Sequence, residues 1–286
     1  MDLQAVSFQD RKRKVTSHAA LAVVYFLAFL SAIPFVLVSS YILFKGVGSL
    51  DVAFFTELPK GPGETGGGMA NAIAGTGVLV TMACLLGIPW GMATGIYLSE
   101  YGHGKTAGVL RFTVDLLTSV PSIIVGIFVY GLIVTQIGYS SYAGSAALAI
   151  IMLPIVARST EEIMKLIPNS VREAGLALGL PRWKVILRIL VPGCLGGLVT
   201  GFMLAIARVA GETAPLLFTA FGNNFFSDSL DQPIASLPVQ IYSFAKSGFP
   251  DLVRQSWAGA LVLVGLVFFL NFGTRSLLYW KSRKES

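Results

Sequence analysis

Residues 116–157 read LLTSVPSIIVGIFVYGLIVTQIGYSSYAGSAALAIIMLPIVA, without one charged side chain. A helix that crosses the apolar core of a bilayer, roughly 30 Å thick, needs about 20 mostly apolar residues. This stretch is long enough for two crossings, and the polar break Gly138-Tyr139-Ser140-Ser141 divides it. It reads as one span out and one span back, which predicts an all-α integral membrane protein. Working outward, residues 19–44, 65–99, 193–226 and 256–274 supply four more apolar runs, giving six spans. Residues 19–44 exceed a signal-peptide core and no convincing small-residue cleavage site follows, so they read as a retained helix with Pro34 as a place to bend. Of the six runs only 193–226 holds charges, Arg208 and Glu212.

The composition agrees. The chain has 286 residues, 54% hydrophobic and 13% charged, with a mean hydropathy of +0.73. Soluble domains carry about 25% charged residues. Half that share cannot cover a water-soluble globule, which excludes a soluble enzyme and a disordered chain. Cys84 and Cys194 both lie in apolar runs, and His18 and His103 stand alone, so neither a disulfide framework nor a zinc motif is present in the sequence.

The net charge of +6 is a matter of topology. Six spans place both termini on one side. That side collects the Arg11-Lys12-Arg13-Lys14 run, Lys105, Arg111, the basic residues from Arg158 to Arg188, and Arg275, Lys281, Arg283 and Lys284. The other side holds only Lys45, Lys60, Lys246 and Arg254. The positive-inside rule then sets both termini in the cytoplasm. Glycines at 61, 63 and 66–68 predict a flexible outer connection. Tyr97, Tyr101, Tyr139, Tyr142, Trp257, Tyr279 and Trp280 fit interfacial anchors. Small residues every fourth position (Gly87, Gly91, Gly95; Gly193, Gly197, Gly201) permit close helix contact, within the chain or between subunits.

The division expected from this pattern is a cytoplasmic tail at 1–17, an accessory first helix at 18–45 and an outer loop at 46–67. A five-helix core follows at 68–280, with a cytoplasmic loop at 158–190, and then a tail at 281–286. Gly104-Lys105-Thr106 looks like the end of a phosphate-binding loop, but Ser99 stands where its first glycine belongs. ATP, if used, is bound by a partner.

The 158–190 loop mixes charge with Leu and Ile at helical spacing. Ser170, three residues before Glu173, fits a capping box. Asp115, four residues after Arg111, fits a local helix-face pair. The small residues of Glu173-Ala174-Gly175-Leu176-Ala177-Leu178-Gly179 suit either a docked protein or a membrane-surface helix; spacing leaves both open. With Ile189-Leu190-Val191-Pro192, the segment resembles the ATPase-docking loop of ABC importer permeases: Glu-Ala-Ala, three residues, Gly, nine residues, Ile-x-Leu-Pro. Gly175 stands for the second Ala and Val191 for Leu. The resemblance implies that Glu173, Ala174, Gly175, Gly179, Ile189 and Pro192 form a coupling helix seated in an ATPase groove.

Three further segments narrow the family. They are Ala207-Arg208-Val209-Ala210-Gly211-Glu212-Thr213-Ala214-Pro215-Leu216-Leu217, Ser119-Val120-Pro121-Ser122-Ile123-Ile124, and Ser236-Leu237-Pro238-Val239-Gln240-Ile241. They are similar to permeases of the PstA type in phosphate-specific ABC importers. The resemblance implies a type I ABC importer permease (MetI-like) fold, a PstC-type sister permease in a heterodimer, a PstB-type ATPase dimer, and a PstS-type phosphate-binding protein. It implies no cofactor in this chain, ATP and magnesium residing in the ATPase, and no nucleic acid partner. Permeases for molybdate or sulfate are the nearest alternative, and a passive anion channel a more distant one.

Arg208 carries a claim that physics supports by itself. Counted from residue 193 at about 1.5 Å per residue, it lies near the bilayer middle. A charge there costs at least about 2.5–3.5 kcal/mol and faces protein or water. Glu212, one helical turn on, makes either a structural ion pair or a counter-charge for a transported anion. Arg208, Glu212 and Thr213 are the candidate substrate-pathway residues.

Overall fold

The computed structural model describes residues 3–102 and 104–285, with side chains for 13–102, 104–274 and 276. His103 and the side chains of Arg11, Lys12, Arg275, Tyr279, Trp280, Lys281, Arg283 and Lys284 lie outside the described residues. Every regular element among the described residues is helical.

Helix α1 (Leu3–Val47) passes through Pro34 as one unbroken element. Two short steps follow: α2 (Val52–Thr56), capped by the Asp51 carboxylate accepting from Phe54 N at 2.8 Å, and the glycine segment. That segment is held rather than loose. Met69 N donates to Phe54 O at 2.9 Å, and Gln255 Nε2 donates to Gly66 O at 2.7 Å. Phe54 and Met69 anchor a small outer core with Leu237, Phe244 and Leu252.

Helix α3 (Ala70–Ile96) and a π-helical turn, Tyr97–Tyr101, make the second span. The third is broken. α4 (Lys105–Ser119) turns by 101° at Val120-Pro121 into α5 (Ser122–Val129). A π turn, Tyr130–Val134, and α6 (Thr135–Ile137) continue it. Proline disfavours helical backbone in the residue before it, so Val120 is extended, at φ −68 and ψ 127. α7 (Ser141–Lys165), capped by Ser140 Oγ on Ala143 N, is the central span.

After α7 come α8 (Asn169–Ala177), α9 (Arg182–Val185), a π turn Ile186–Leu190 and α10 (Val191–Gly193). A 75° turn leads into α11 (Leu195–Ala210). α12 (Ala214–Thr219), α13 (Leu237–Ala245) and α14 (Pro250–Glu285) complete the chain. Four helices are long and apolar enough to cross a membrane, and each bent pair adds one, which makes six.

Two boundaries differ from the sequence reading. The fifth apolar run is not one helix to residue 226; it stops at Ala210, and α12 starts anew at Ala214. Gly211 ends the first piece, and Pro215, lacking an N–H, is accommodated in the first turn of the second. The expected capping box is also absent. Ser170 lies inside α8, whose start is set by Pro168 without a side-chain cap.

The core is made by close approach. Lipid tails are as apolar as leucine, so fit rather than hydrophobicity favours helix–helix contact here. Gly87, Gly91 and Gly95 lay α3 directly on α7: a Cβ on Gly91 would sit 2.7 Å from Val156 Cβ, and one on Gly95 2.5 Å from Thr160 Cβ. Gly197 and Gly201 bring α11 onto Ile163 and Ser159 of α7, whereas Gly193 meets nothing within 4 Å. The stripes therefore serve packing within the chain. Leu79, Leu148, Met152, Ala205, Val209 and Leu216 fill the space between α3, α7, α11 and α12.

Candidate functional site

Two places carry the chemistry. The first is the break after α11. Arg208 lies in its last turn, and Glu212 lies beyond its end, not on a continuing helix face. The chain turns so that they still meet: Arg208 Nη2 is 3.1 Å from Glu212 Oε1. The contact has the distance of an ion pair without the alignment of a hydrogen bond, and Glu212 Oε1 is buried with no hydrogen-bond donor. The two ends differ sharply in environment. The Arg208 side chain is 62% exposed and that of Glu212 only 9%. Glu212 is fixed next to the buried Val209, Ala210 and Leu216, and its N–H donates to Val209 O at 3.1 Å. Thr213, half-buried, opens α12 without capping it through its side chain. α12 is seated on α5, where a Cβ on Gly126 would lie 2.6 Å from Pro215 Cα. The arrangement presents an exposed guanidinium fork, which matches oxyanion geometry, paired at one nitrogen with a buried carboxylate.

The second place is the helix pair α8 and α9. Glu173, Ala174, Leu176 and Leu178 are exposed on α8, and Trp183 and Leu187 extend the apolar surface. Gly175 is buried: a Cβ there would sit 3.0 Å from Val185 and 3.2 Å from Ile189. Gly175 and Ile189 thus hold α8 against α9 and the following π turn, while Glu173, Ala174, Gly179 and Pro192 stay on the surface. Gly179 ends the helix at φ +78, a left-handed conformation costly for any residue with a Cβ, and its N–H donates to Leu176 O. A cavity of about 330 Å³ lies beneath, lined by Glu100, Asn169, Arg172, Glu173 and Arg182 among others.

Charged partners here differ from the local pairing expected. Arg111 does not turn to Asp115. Its Nε donates to Glu161 at 2.8 Å, and Asp115 instead meets Arg158 at 3.4 Å. Glu100, unnoticed in the sequence, is 3% exposed and receives Arg172 at 2.7 to 3.2 Å. The carboxylate holds the Arg172 guanidinium above its ordinary arginine range, against the opposing effect of burial. The signal available for Glu100 was a lone acid at the C-terminal end of an uncharged span. Among the described residues, no group of His, Cys, Asp and Glu is placed to hold a metal ion.

Comparison with known proteins gives these places a context. The profile of the family described as "Binding-protein-dependent transport system inner membrane component" matches residues 87–284. A "Phosphate transport system permease protein PstA" of Xylella fastidiosa is 41% identical over 94% of each chain. The protein of that name from Yersinia pestis is 48% identical over 81% of this chain and 79% of its own. Among solved structures, the inward-facing MetNI methionine ABC transporter is similar with a TM-score of 0.62 at 19% identity, covering 74% of this chain and 96% of that one. A bacterial ABC transporter for import of the acidic polysaccharide alginate gives 0.55 at 17% identity, covering 94% and 98%.

Proposed function

The chain belongs to the binding-protein-dependent transport system inner membrane components, and from that premise we propose that it is the permease subunit of an ATP-driven importer of inorganic phosphate. The observation that carries the reading is its near full-length likeness to phosphate permeases of the PstA type, with the Arg208–Glu212 pair supplying a fitting chemistry. The chain forms part of a membrane path and does no bond chemistry itself. ATP is hydrolysed with magnesium on a PstB-type ATPase dimer, which grips α8 at Glu173, Ala174 and Gly179. A PstC-type permease pairs with this chain and covers the face that leaves Arg208 exposed here. A PstS-type binding protein delivers phosphate from outside, and both termini lie in the cytoplasm. In this reading residues 1–17 are a cytoplasmic tail and 18–45 an accessory helix. Residues 46–67 form the outer loop, 68–280 the permease core with its coupling loop at 158–190, and 281–286 the second tail.

Arg208 meets phosphate in transit with paired N–H donors, Thr213 adds a hydroxyl to the path from the start of α12, and Glu212 does two things. Its carboxylate accepts a hydrogen bond from the proton-bearing oxygen that phosphate has and sulfate lacks. Its charge also keeps Arg208 from holding the anion too long to release it. Replacing Arg208 by Gln in the assembled transporter is expected to abolish phosphate uptake while the subunits still co-purify. Uptake at the unaltered rate would remove Arg208 from the path, and competition by sulfate equal to that by arsenate would make the substrate another oxyanion.

A further inference from the structure

We infer that Glu100 is the positioning residue through which the cytoplasmic helix α8 moves the permease core, by way of Arg172. The inference rests on the reading of this chain as an ATPase-driven permease, and it concerns how force travels inside the chain.

Helix α8 has two faces. One shows Glu173, Ala174 and Leu176 to the cytoplasm; the other turns Arg172 and Gly175 inward. The Arg172 guanidinium reaches mostly beyond α8, apart from a 3.4 Å contact of Nη1 with Asn169 Oδ1 at the start of its own helix. Nη2 donates to Glu100 Oε1 at 2.7 Å, and Nε lies 3.0 and 3.2 Å from the two Glu100 oxygens. Nη1 donates to Ile167 O at 2.5 Å, and Nη2 also reaches Met164 O at 2.9 Å, where α7 ends. One side chain therefore joins α8 to the foot of α3 and the foot of α7. A second arginine repeats the attachment. Arg182 of α9 donates to the Glu100 carbonyl and stacks on the Tyr101 ring at 4.7 Å. A third, Arg111, donates to Leu98 O in the same π turn.

From Glu100 onward the contacts are rigid. α3 and α7 touch along the Gly87, Gly91 and Gly95 stripe, where a single added carbon would clash. α7 meets α11 at Ser159 against Gly201. α11 carries Arg208. A displacement of α8 thus reaches the helix bearing Arg208 through packed elements. The covalent route, by contrast, runs through three short pieces and a 75° turn.

A buried ion pair is a poor way to gain stability, because desolvation offsets the attraction and well-packed apolar side chains often do as well. Its distinctive property is a fixed geometry among several acceptors. That is what a transmission contact requires and a stabilising contact does not.

The test uses the complete transporter, with its ATPase, sister permease and binding protein, in phospholipid vesicles loaded with ATP and supplied with inorganic phosphate. Glu100→Gln and Arg172→Lys are expected to keep assembly and basal ATP hydrolysis. Phosphate imported per ATP hydrolysed falls about tenfold, within the range usual for coupling between sites. The double variant Glu100→Leu with Arg172→Leu decides between transmission and plain structure. It removes both charges together, so thermal stability recovers, and the ratio stays low if geometry transmits the motion. Return of the ratio along with the stability overturns the inference, as does an unchanged ratio in either single variant. If the unaltered complex imports no phosphate, the functional reading fails and not the route inside the chain.

Discussion

At the scale of single residues, Arg208 and Glu212 pair an exposed charge with a buried one. The guanidinium is open on the face that this chain leaves uncovered, while its counter-charge is buried beside the helix end. An acid fixed in place lowers the affinity of the arginine for any passing anion without occupying its fork fully. Replacing Glu212 by Gln keeps the shape and removes the charge. The expected result is a lower KM for phosphate together with a lower kcat, because the anion binds more tightly and leaves more slowly. Initial rates of radiolabelled phosphate uptake in vesicles measure both. Arg172 behaves differently. Its pKa is raised in the folded chain, so what the ion pair adds to stability is complete below the ordinary arginine value. That contribution is lost only as pH rises through the raised value, and Arg172 keeps its charge across the neutral range. Coupling measured on either side of neutrality should show no step from the titration of Arg172.

The element scale is where the sequence was most and least legible. Six apolar runs translate into six spans because hydropathy reports on the solvent, and a bilayer demands long runs. Pro121 and the charged Glu212 mark where two of the helices break, but hydropathy gives neither the 101° angle of the first break nor the restart of the second at Ala214. Periodicity found the Arg208–Glu212 pair for an incomplete reason: the partners meet, but across a helix end. It gave Arg111 the wrong partner and missed Glu100 altogether. Their true partners lie 50 and 72 positions away, and only tertiary packing brings them near. The glycine stripes illustrate the middle case. Their spacing announced close contact, and the structure supplies the partner helix, α7. Gly95→Ala is expected to lower stability by about 1–3 kcal/mol through overpacking, whereas Gly193→Ala, facing open space, should be close to neutral. Thermal unfolding of the two purified variants in the same detergent compares them directly.

For the molecule as a whole, the notable asymmetry is between α1 and the remainder. The most apolar window of α1 contains no buried residue. Its packing against α14 is concentrated at the outer end. There Gly46 sits under Trp257 and Leu261, Tyr41 meets Trp257 edge-on at 5.1 Å, and Arg254 donates to Ser49 Oγ and Gly48 O. The family profile begins at residue 87, well after α1. A protease site placed between Gly48 and Ser49 and cut after membrane insertion should leave the core unfolding within about 3 °C of the uncut chain. A larger drop would show that α1 supports the core along its length.

The attachment that the described residues of α1 make near Tyr41 and Gly46 has a mechanical consequence. A rod fastened along its whole length would have to be dragged through lipid each time the core rocked. One fastened near a single end works like a boat's mooring: the far end can hold station in the bilayer while the hull swings. A disturbance of the membrane around α1, whether thickness, tension or crowding, would then be passed on through the contacts at that end, the Tyr41–Trp257 pair among them. The distance from there to the helix carrying Arg208 is bridged by α14, which packs on α11 as well.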